Sequence, residues 1–294
     1  MNLRKIARHL FFKLLGLGFA DSSLVREGGL RYSTLLEPRF FKVETVRLNL
    51  DRLPKVFSGL RIAQISDIHM GGWMNRERFQ RVADLVGVQE PDLLLITGDF
   101  LLGHHFTEEA WGFLEDLANV LTPLAKSIPS FAVLGNNDYR MKPGEVRRML
   151  AASGVKDLTN TVVTLTREGQ RLHLCGVDDV WYGDVRLDLV TAQLNDDNAA
   201  ILLAHEPDFA DTSAATGKFD LQISGHTHGG QIVIPFRGPP LLPHLGRKYP
   251  SGLYKVGDMF QYTNRGVGMH ALAVRFNCPP EITIFELESA GQVL

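Results

Sequence analysis

Side chains that bind metal ions recur at five points of the sequence, each directly after a run of apolar residues such as LRIAQIS or PDLLLIT. The residues concerned are Asp67, His69, Asp99, Asn136, His205, His226 and His228. Buried strands are often continuous apolar runs, and ligand sites of α/β folds lie beyond the carboxyl ends of the strands. We therefore expect these seven side chains to meet in one site.

Seven candidate ligands are more than one ion uses, since a single zinc takes three or four protein ligands. They fit two ions about 3.5–4 Å apart, the arrangement that clamps an in-line displacement at phosphorus. A mixture of carboxylate, amide and imidazole groups suits Mn, Fe or Zn better than Mg or Ca. Gly-Asp and Asn-Asp pairs are also common in turns, but five such motifs, each after an apolar strand, favour a metal site.

The elements that must carry these residues alternate in the first half of the chain. Apolar periodicity predicts a helix over residues 75–88 that begins at Asn75, and another over 107–126 that begins at Thr107. The second half is rich in predicted strands, including a hairpin that turns at Glu168-Gly169. We predict an α+β or α/β fold in which two sheets pack together with helices outside.

Composition describes a globular chain of 294 residues, 45% hydrophobic and 22% charged. The length allows about two domains, but the polar motifs belong to one site, so we predict one domain over residues 35–294. A net charge of −2 offers no reason to expect a nucleic-acid partner. Cys175 and Cys278 cannot form a disulfide framework and lack CxxC spacing, which favours a reducing compartment. The longest apolar runs are too short for a membrane-spanning helix.

Residues 1–34 form a separate predicted segment. Within the first 20 residues, apolar side chains such as Leu3, Leu10 and Leu14 share one helical face, with basic residues such as Arg4 and Lys13 largely opposite. This pattern predicts a basic amphipathic helix lying on a membrane surface. Two alternatives are a cleaved signal peptide and a helix packed on the body of the protein.

Taken together, the motifs resemble those of the calcineurin-like metallophosphoesterases. They are Asp67-Ile68-His69, Gly98-Asp99, Gly135-Asn136-x-Asp138, His205 and Gly225-His226-Thr227-His228. The stretch SGHTHGGQIVIP and the proline-rich segment after it look like the bacterial membrane-associated branch, which includes phosphodiesterases and UDP-2,3-diacylglucosamine hydrolases of lipid A synthesis. The resemblance implies a two-sheet αββα sandwich flanked by helices.

The resemblance also implies roles for the residues at these positions. Asp67, His69 and His228 would hold one divalent metal ion, Asn136, His205 and His226 a second, and Asp99 would bridge the two. A hydroxide between the ions would attack phosphorus, and Asp138 would orient a ligand. Mn is the expected metal, with Fe and Zn as alternatives.

The implied reaction is hydrolysis of a phosphodiester or pyrophosphate bond in a phosphorylated small molecule or lipid-linked substrate. UDP-2,3-diacylglucosamine is the favoured substrate, and the protein would lie peripherally at the cytoplasmic face of the inner membrane. A cleaved signal peptide would instead imply export. The alternative activity is a broad phosphodiesterase acting on nucleotides or phospholipids, and a metal-holding scaffold without catalysis is a third hypothesis.

The sequence departs from the family at Asn137, where the usual motif has histidine near the leaving group. An amide donates a hydrogen bond but cannot deliver a proton near pH 7. This favours a pyrophosphate or activated diester over an alkyl monoester. His104 and His105 are candidate replacement donors, and Arg265 is a candidate phosphate contact because arginine suits bidentate phosphate binding.

Overall fold

The structure, a computed structural model, describes residues 40–103, 105–270 and 273–290. The amphipathic segment predicted for residues 1–34 lies outside the described residues. The predicted two-sheet sandwich flanked by helices is confirmed. No helix in the three described ranges is long and apolar enough to cross a bilayer.

Two six-stranded sheets are formed by the described residues. The strands are β1 (Lys42–Leu50), β2 (Leu60–Ile65), β3 (Leu93–Thr97), β4 (Ser130–Val133), β5 (Lys156–Asp157), β6 (Thr161–Arg167), β7 (Gln170–Gly176), β8 (Ala200–Leu203), β9 (Leu221–Ser224), β10 (Gly252–Val256), β11 (Met259–Thr263) and β12 (Glu281–Ser289). The first sheet has the order β1-β12-β2-β3-β4-β5, and the second β10-β11-β9-β8-β7-β6. Strands β2 to β5 are parallel, and so are β7, β8, β9 and β11.

Helices cover the outer faces of both sheets. They are α1 (Arg76–Gly87), α2 (Glu109–Ser127), α3 (Asn136–Met141), α4 (Pro143–Ser153), α5 (Leu187–Thr191) and α6 (Ala210–Ala214). Short 3-10 turns occupy Lys55–Phe57, Pro207–Phe209 and His228–Gly230.

Local signals predicted some helix starts correctly and others not. Asn75 caps α1 as predicted, because its side chain accepts a hydrogen bond from the Arg78 backbone N–H. The prediction of Thr107 as the cap of α2 was wrong, since α2 begins at Glu109 and its cap residue Glu108 makes no side-chain capping bond. Helix α3 was not predicted, because the polar GNNDY stretch resembles a loop.

The apolar strands bury both of their faces. In β2, Leu60 and Ile62 pack between the sheets, whereas Ala63 and Ile65 pack against the first helical layer. In β3, the leucines and the isoleucine alternate in the same way between the space between the sheets and the helical layer. This two-sided burial is the reason that the strands are continuous apolar runs. The polar residues that follow each parallel strand are consequently displaced to the rim of the sandwich.

Candidate metal centre

The backbone is strained where the candidate ligands leave their strands. Five of these residues adopt positive φ angles: Asp67 (52°), His69 (52°), Asp99 (57°), His226 (71°) and His228 (53°). A non-glycine residue in this region costs about 1–3 kcal/mol, and such strain concentrates at functional sites. The left-handed turns direct side chains from both sheets towards one volume at the rim of the sandwich.

Three of the side chains meet at one end of this volume. His69 Nε2 and His228 Nε2 lie 2.9 Å apart. The Asp67 carboxylate oxygen Oδ1 lies 3.4 Å from His228 Nε2 and 3.9 Å from His69 Nε2. All three residues are buried, and their ligand atoms form a group able to hold a metal ion.

The other four side chains adjoin this group. His226 Nδ1 lies 2.9 Å from the side-chain oxygen of Asn136. The Asp99 oxygen Oδ2 lies 3.4 Å from His205 Nε2 and 3.6 Å from His69 Nε2, so it stands between the two groups. Asp67, Asp99 and His205 form a second cluster whose ligand atoms could hold a metal ion. The arrangement is compatible with two divalent cations.

Backbone carbonyl groups determine which histidine nitrogens face the centre. His205 Nδ1 lies 2.6 Å from the Thr97 carbonyl oxygen, and His226 Nε2 lies 2.7 Å from that of His244. A carbonyl only accepts, so each of these nitrogens carries a proton, and the opposite nitrogen presents a lone pair to the centre when the ring is neutral. His205 Nε2 is buried without a hydrogen-bond partner among the described residues. A buried ring nitrogen left in this way fits a ligand that gives up its proton when a cation binds.

Burial sets the charge of the histidines. It lowers the pKa of His69 to about 4 and of His226 to about 3, and it lowers the pKa of His228 well below its ordinary value. These three rings are therefore neutral at pH 7, the form that binds metal ions. Burial would also lower the pKa of His205, but the adjacent Asp99 carboxylate outweighs it and raises that pKa.

Asn137 orients the carboxylate of Asp99. Its backbone N–H donates to Asp99 Oδ1 at 2.8 Å, and its side-chain amide donates to Asp99 Oδ2 at 2.7 Å. Both groups lie in the first turn of α3, whose N-terminus attracts negative charge. Asparagine at this position therefore holds the carboxylate that stands between the two groups of candidate ligands.

Asp138 joins the exits of two neighbouring strands. It is fully buried and accepts hydrogen bonds at 2.9–3.2 Å from backbone N–H groups beyond β3, and at 3.0 Å from one beyond β4. The donors are Asp99, Phe100, Leu101 and Gly135. Asp138 thus fixes the backbone around Asp99 and Asn136, because both of its carboxylate oxygens accept from backbone N–H groups.

The structure does not bring His105 and Arg265, two of the weaker candidates, to the cleft. His104 lies outside the described residues, and His105 is exposed in the loop after β3. His105 is not among the described residues that line the cleft at the centre. Arg265 forms ion pairs with Glu281 and Glu44, and it is also not among the described residues that line the cleft.

A cleft of about 370 Å³ opens over Asp99, His226 and His228. Leu241 and Leu242, from the proline-rich segment, line it, and so do Arg140, Trp181 and His270, which were not predicted from the sequence. The cleft is mostly apolar apart from its floor and Arg140. No local pattern marks Arg140, Trp181 and His270, because they come from α3, the loop after β7 and the loop after β11. The only signal available was the proline-rich segment after the last histidine motif.

Comparison with known proteins finds a family match. Residues 60–230 match the calcineurin-like phosphoesterase family. The chain is 32% identical to the Bacillus subtilis protein named uncharacterized metallophosphoesterase YkuE, over 98% of this chain and 100% of that protein. It is 30% identical to Escherichia coli phosphodiesterase YaeI, over 96% of this chain and 99% of that protein. A solved Thermus thermophilus structure, TT1561, aligns with a TM-score of 0.49 at 12% identity, over 71% of this chain and 91% of that one.

Proposed function

We propose that this chain, which belongs to the calcineurin-like phosphoesterase family, hydrolyses phosphodiester or pyrophosphate bonds with two divalent metal ions. Family membership makes it a metal-dependent phosphoester hydrolase. The observation that carries the two-ion proposal is the convergence of two ligand groups on either side of Asp99. A carboxylate placed between two sets of imidazoles is suited to bridging two cations.

In this proposal the ligands divide into two sets. Asp67, His69 and His228 would hold one ion, Asn136, His205 and His226 would hold the other, and Asp99 would be shared between them. Bound divalent ions, which we propose to be Mn, supply Lewis acidity that activates water and neutralises charge on phosphoryl oxygens.

The residues of the chain position this chemistry. The backbone carbonyl groups of Thr97 and His244 orient His205 and His226 so that the opposite ring nitrogen faces the centre. Asn137 holds the side-chain carboxylate of Asp99, and Asp138 holds the Asp99 backbone N–H. Pre-organised ligands of this kind lose little freedom on binding, which favours a defined metal geometry.

Asn137 limits the leaving groups that the site can handle. Its amide is engaged with Asp99 and cannot donate a proton to a departing oxygen. General acid catalysis is worth roughly 10²–10⁴-fold, and it matters most for poor leaving groups such as alkoxides. We therefore assign pyrophosphates and activated diesters as substrates in preference to alkyl monoesters.

The test uses the full chain supplied with Mn and three substrates: bis-p-nitrophenyl phosphate, p-nitrophenyl phosphate and UDP-2,3-diacylglucosamine. Asp99→Ala serves as the inactive control, because it removes the carboxylate proposed to be shared by the two ions. We expect metal-dependent hydrolysis of the diester or the UDP-lipid, with weak activity on the monoester. Strong monoester activity would refute the leaving-group argument. Absence of all activity with two metals bound would favour the scaffold hypothesis.

A lipid-linked substrate at a membrane surface is the finer part of the proposal. Leu241 and Leu242 line the cleft, and Leu241 and the neighbouring Phe236 are strongly exposed beside Arg237. Apolar side chains edged by a cation suit an anionic bilayer. UDP-2,3-diacylglucosamine is the candidate substrate, and the cytoplasmic face of the inner membrane is the proposed location.

Co-sedimentation with anionic vesicles tests this location. We expect Phe236→Ser with Leu241→Ser, or deletion of residues 1–39, to lower vesicle binding while turnover of bis-p-nitrophenyl phosphate persists. Unchanged vesicle binding in both variants would exclude these two regions as the membrane contact. The second candidate activity, a broad phosphodiesterase, is supported by the likeness to phosphodiesterase YaeI. Turnover of nucleotide diesters faster than the UDP-lipid would favour it.

A further inference from the structure

A cation stands at the wall of the metal cleft. Arg140 lies in α3, four residues after Asn136, and lines the cleft together with Asp99 and Asn137. Its guanidinium carbon lies 5.2 Å from the centroid of the Trp181 ring and 5.0 Å from that of Tyr182. Its nitrogens Nε and Nη2 donate to the Tyr182 hydroxyl at 3.2 and 2.7 Å.

Arg140 lacks an acidic partner among the described residues. Within the part of the chain that the structure describes, no carboxylate oxygen forms an ion pair with its guanidinium. The nearby Arg147, in α4, is by contrast paired with Asp157 and Asp178. The described contacts of this half-buried guanidinium are two aromatic rings and one hydroxyl, so most of its fork of N–H donors has no partner among the described residues. That fork matches the oxygen atoms of a phosphate.

The aromatic pair fixes the position of this cation relative to the centre. Trp181 and Tyr182 stack on each other with centroids 5.2 Å apart and an interplanar angle of 16°. Trp181 meets the ring of His226 edge to face at 6.2 Å. The backbone N–H of Tyr182 donates to buried Asp179 at 2.6 Å, which ties the pair to the body of the protein. Arg140 is thereby held beside the candidate ligands on the Asn136 side.

We propose that Arg140 is a catalytic residue that binds the leaving group when that group is itself a phosphate, and so makes the site selective for pyrophosphate-type diesters. This inference rests on the proposed two-metal hydrolysis and deepens it by naming the substrate class. Asn137 cannot donate a proton to the leaving group. Arg140 compensates for this, because a fixed cation stabilises a departing anion without transferring a proton.

The reaction balances without a proton donor from the chain. Water adds to one phosphorus of the P–O–P unit as the bond from that phosphorus to the bridging oxygen breaks. The electron pair of that bond stays on the bridging oxygen, which leaves as part of a phosphate monoester. The protons of the water pass to solvent or to the product phosphates. Arg140 contacts the phosphate that departs, so a diester with a single phosphorus gains little from it.

Turnover by the Mn-loaded full chain tests the selectivity. The substrates are UDP-glucose, which has two phosphates, and bis-p-nitrophenyl phosphate, which has one. We expect Arg140→Ala to lower kcat/KM about 10²–10³-fold on UDP-glucose and less than about tenfold on the single-phosphate diester. Arg140→Lys should lie between, because lysine keeps the charge but loses the planar fork. Equal losses on both substrates, or no loss on either, would overturn the proposal.

Two further variants separate this role from a structural one. Tyr182→Phe removes only the hydroxyl that holds Arg140, and we expect a smaller loss with the same preference for UDP-glucose. Arg148→Ala is the matched control, since Arg148 is an exposed arginine of α4 paired with Glu145. It should leave both substrates unaffected. A similar loss in Arg148→Ala would show that net charge, and not the cleft position, is responsible.

Equilibrium binding keeps the inference testable if turnover fails. The probes are the methylene analogue of UDP-glucose, in which CH₂ replaces the bridging oxygen, and inorganic phosphate. Arg140→Ala should weaken the analogue about 10–100-fold and change the phosphate affinity less than about threefold. Unchanged affinity for the analogue would overturn the role of Arg140. Inactivity of the wild type on both substrates would refute the hydrolase proposal alone, because the binding comparison still decides the role of Arg140.

Discussion

Substitution of Gly135 by alanine tests the packing that holds the centre together. Gly135 has φ −117° and ψ 177°, extended values that alanine adopts without strain. The effect of a methyl group there is therefore steric. A Cβ at this position would lie 2.4 Å from Asp99 Oδ1, 2.7 Å from the Asp99 backbone nitrogen and 2.7 Å from His205 Cε1.

The size of the effect follows from these distances. Real Cβ contacts do not fall below 3.0 Å, so the Asp99 carboxylate must retreat by at least about 0.6 Å from its present 2.4 Å. Overpacking of this kind typically costs about 1–3 kcal/mol of stability. A displacement approaching 1 Å at a reacting centre costs on the order of 10²-fold in rate. We expect Gly135→Ala to fold, to bind metal more weakly and to lose about 10²-fold in kcat/KM.

The assay compares three quantities: metal content after dialysis at fixed free Mn, hydrolysis of bis-p-nitrophenyl phosphate, and the free energy of unfolding in urea. Gly144→Ala is the matched control, because a Cβ on Gly144 in α4 meets no atom within 4 Å. Alanine there should be neutral or stabilise the protein by up to about 1 kcal/mol. If Gly135→Ala retained the metal content and activity of Gly144→Ala, the steric argument for the centre would be refuted.

Three other predictions concern single groups. Asp138→Ala leaves four buried N–H groups without their acceptor, so it should lower the free energy of unfolding, measured in urea, by at least about 4 kcal/mol. A loss below about 1 kcal/mol would contradict the role of Asp138. Asp99 raises the pKa of His205 above its ordinary value, so metal binding near pH 7 should displace about one proton from this ring, and metal affinity should rise about tenfold per pH unit there. Calorimetry in buffers of different ionisation enthalpy would measure the released proton. A pH-independent metal affinity would contradict the prediction. Burial raises the pKa of the Cys175 thiol to about 12, so this thiol should resist alkylation at pH 8 until the chain unfolds. The measurement is mass spectrometry of labelled peptides, and alkylation of Cys175 in the native protein would contradict the prediction.

The sequence by itself carried much of the fold and of the candidate site. Continuous apolar runs identified β2, β3 and β4 because strands buried on both faces need no polar residues. The cap at Asn75 was predictable because a capping bond spans only three residues. The candidate ligands were visible because polar residues directly after such strands are a local pattern. The structure places all seven around one volume, and their roles as ligands remain predictions.

The tertiary structure alone decided what these residues contact. His69 and His228 are 159 positions apart and meet only because two sheets align the ends of their parallel strands. The same alignment brings the Asn137 amide within hydrogen-bond distance of Asp99. From the sequence, Asn137 was visible only as a departure from the family motif. Arg140 and Trp181 come from separate segments, and no spacing rule links them. Local propensities and apolar periodicity determine where strands end, whereas the order and packing of the strands determine which ends become neighbours.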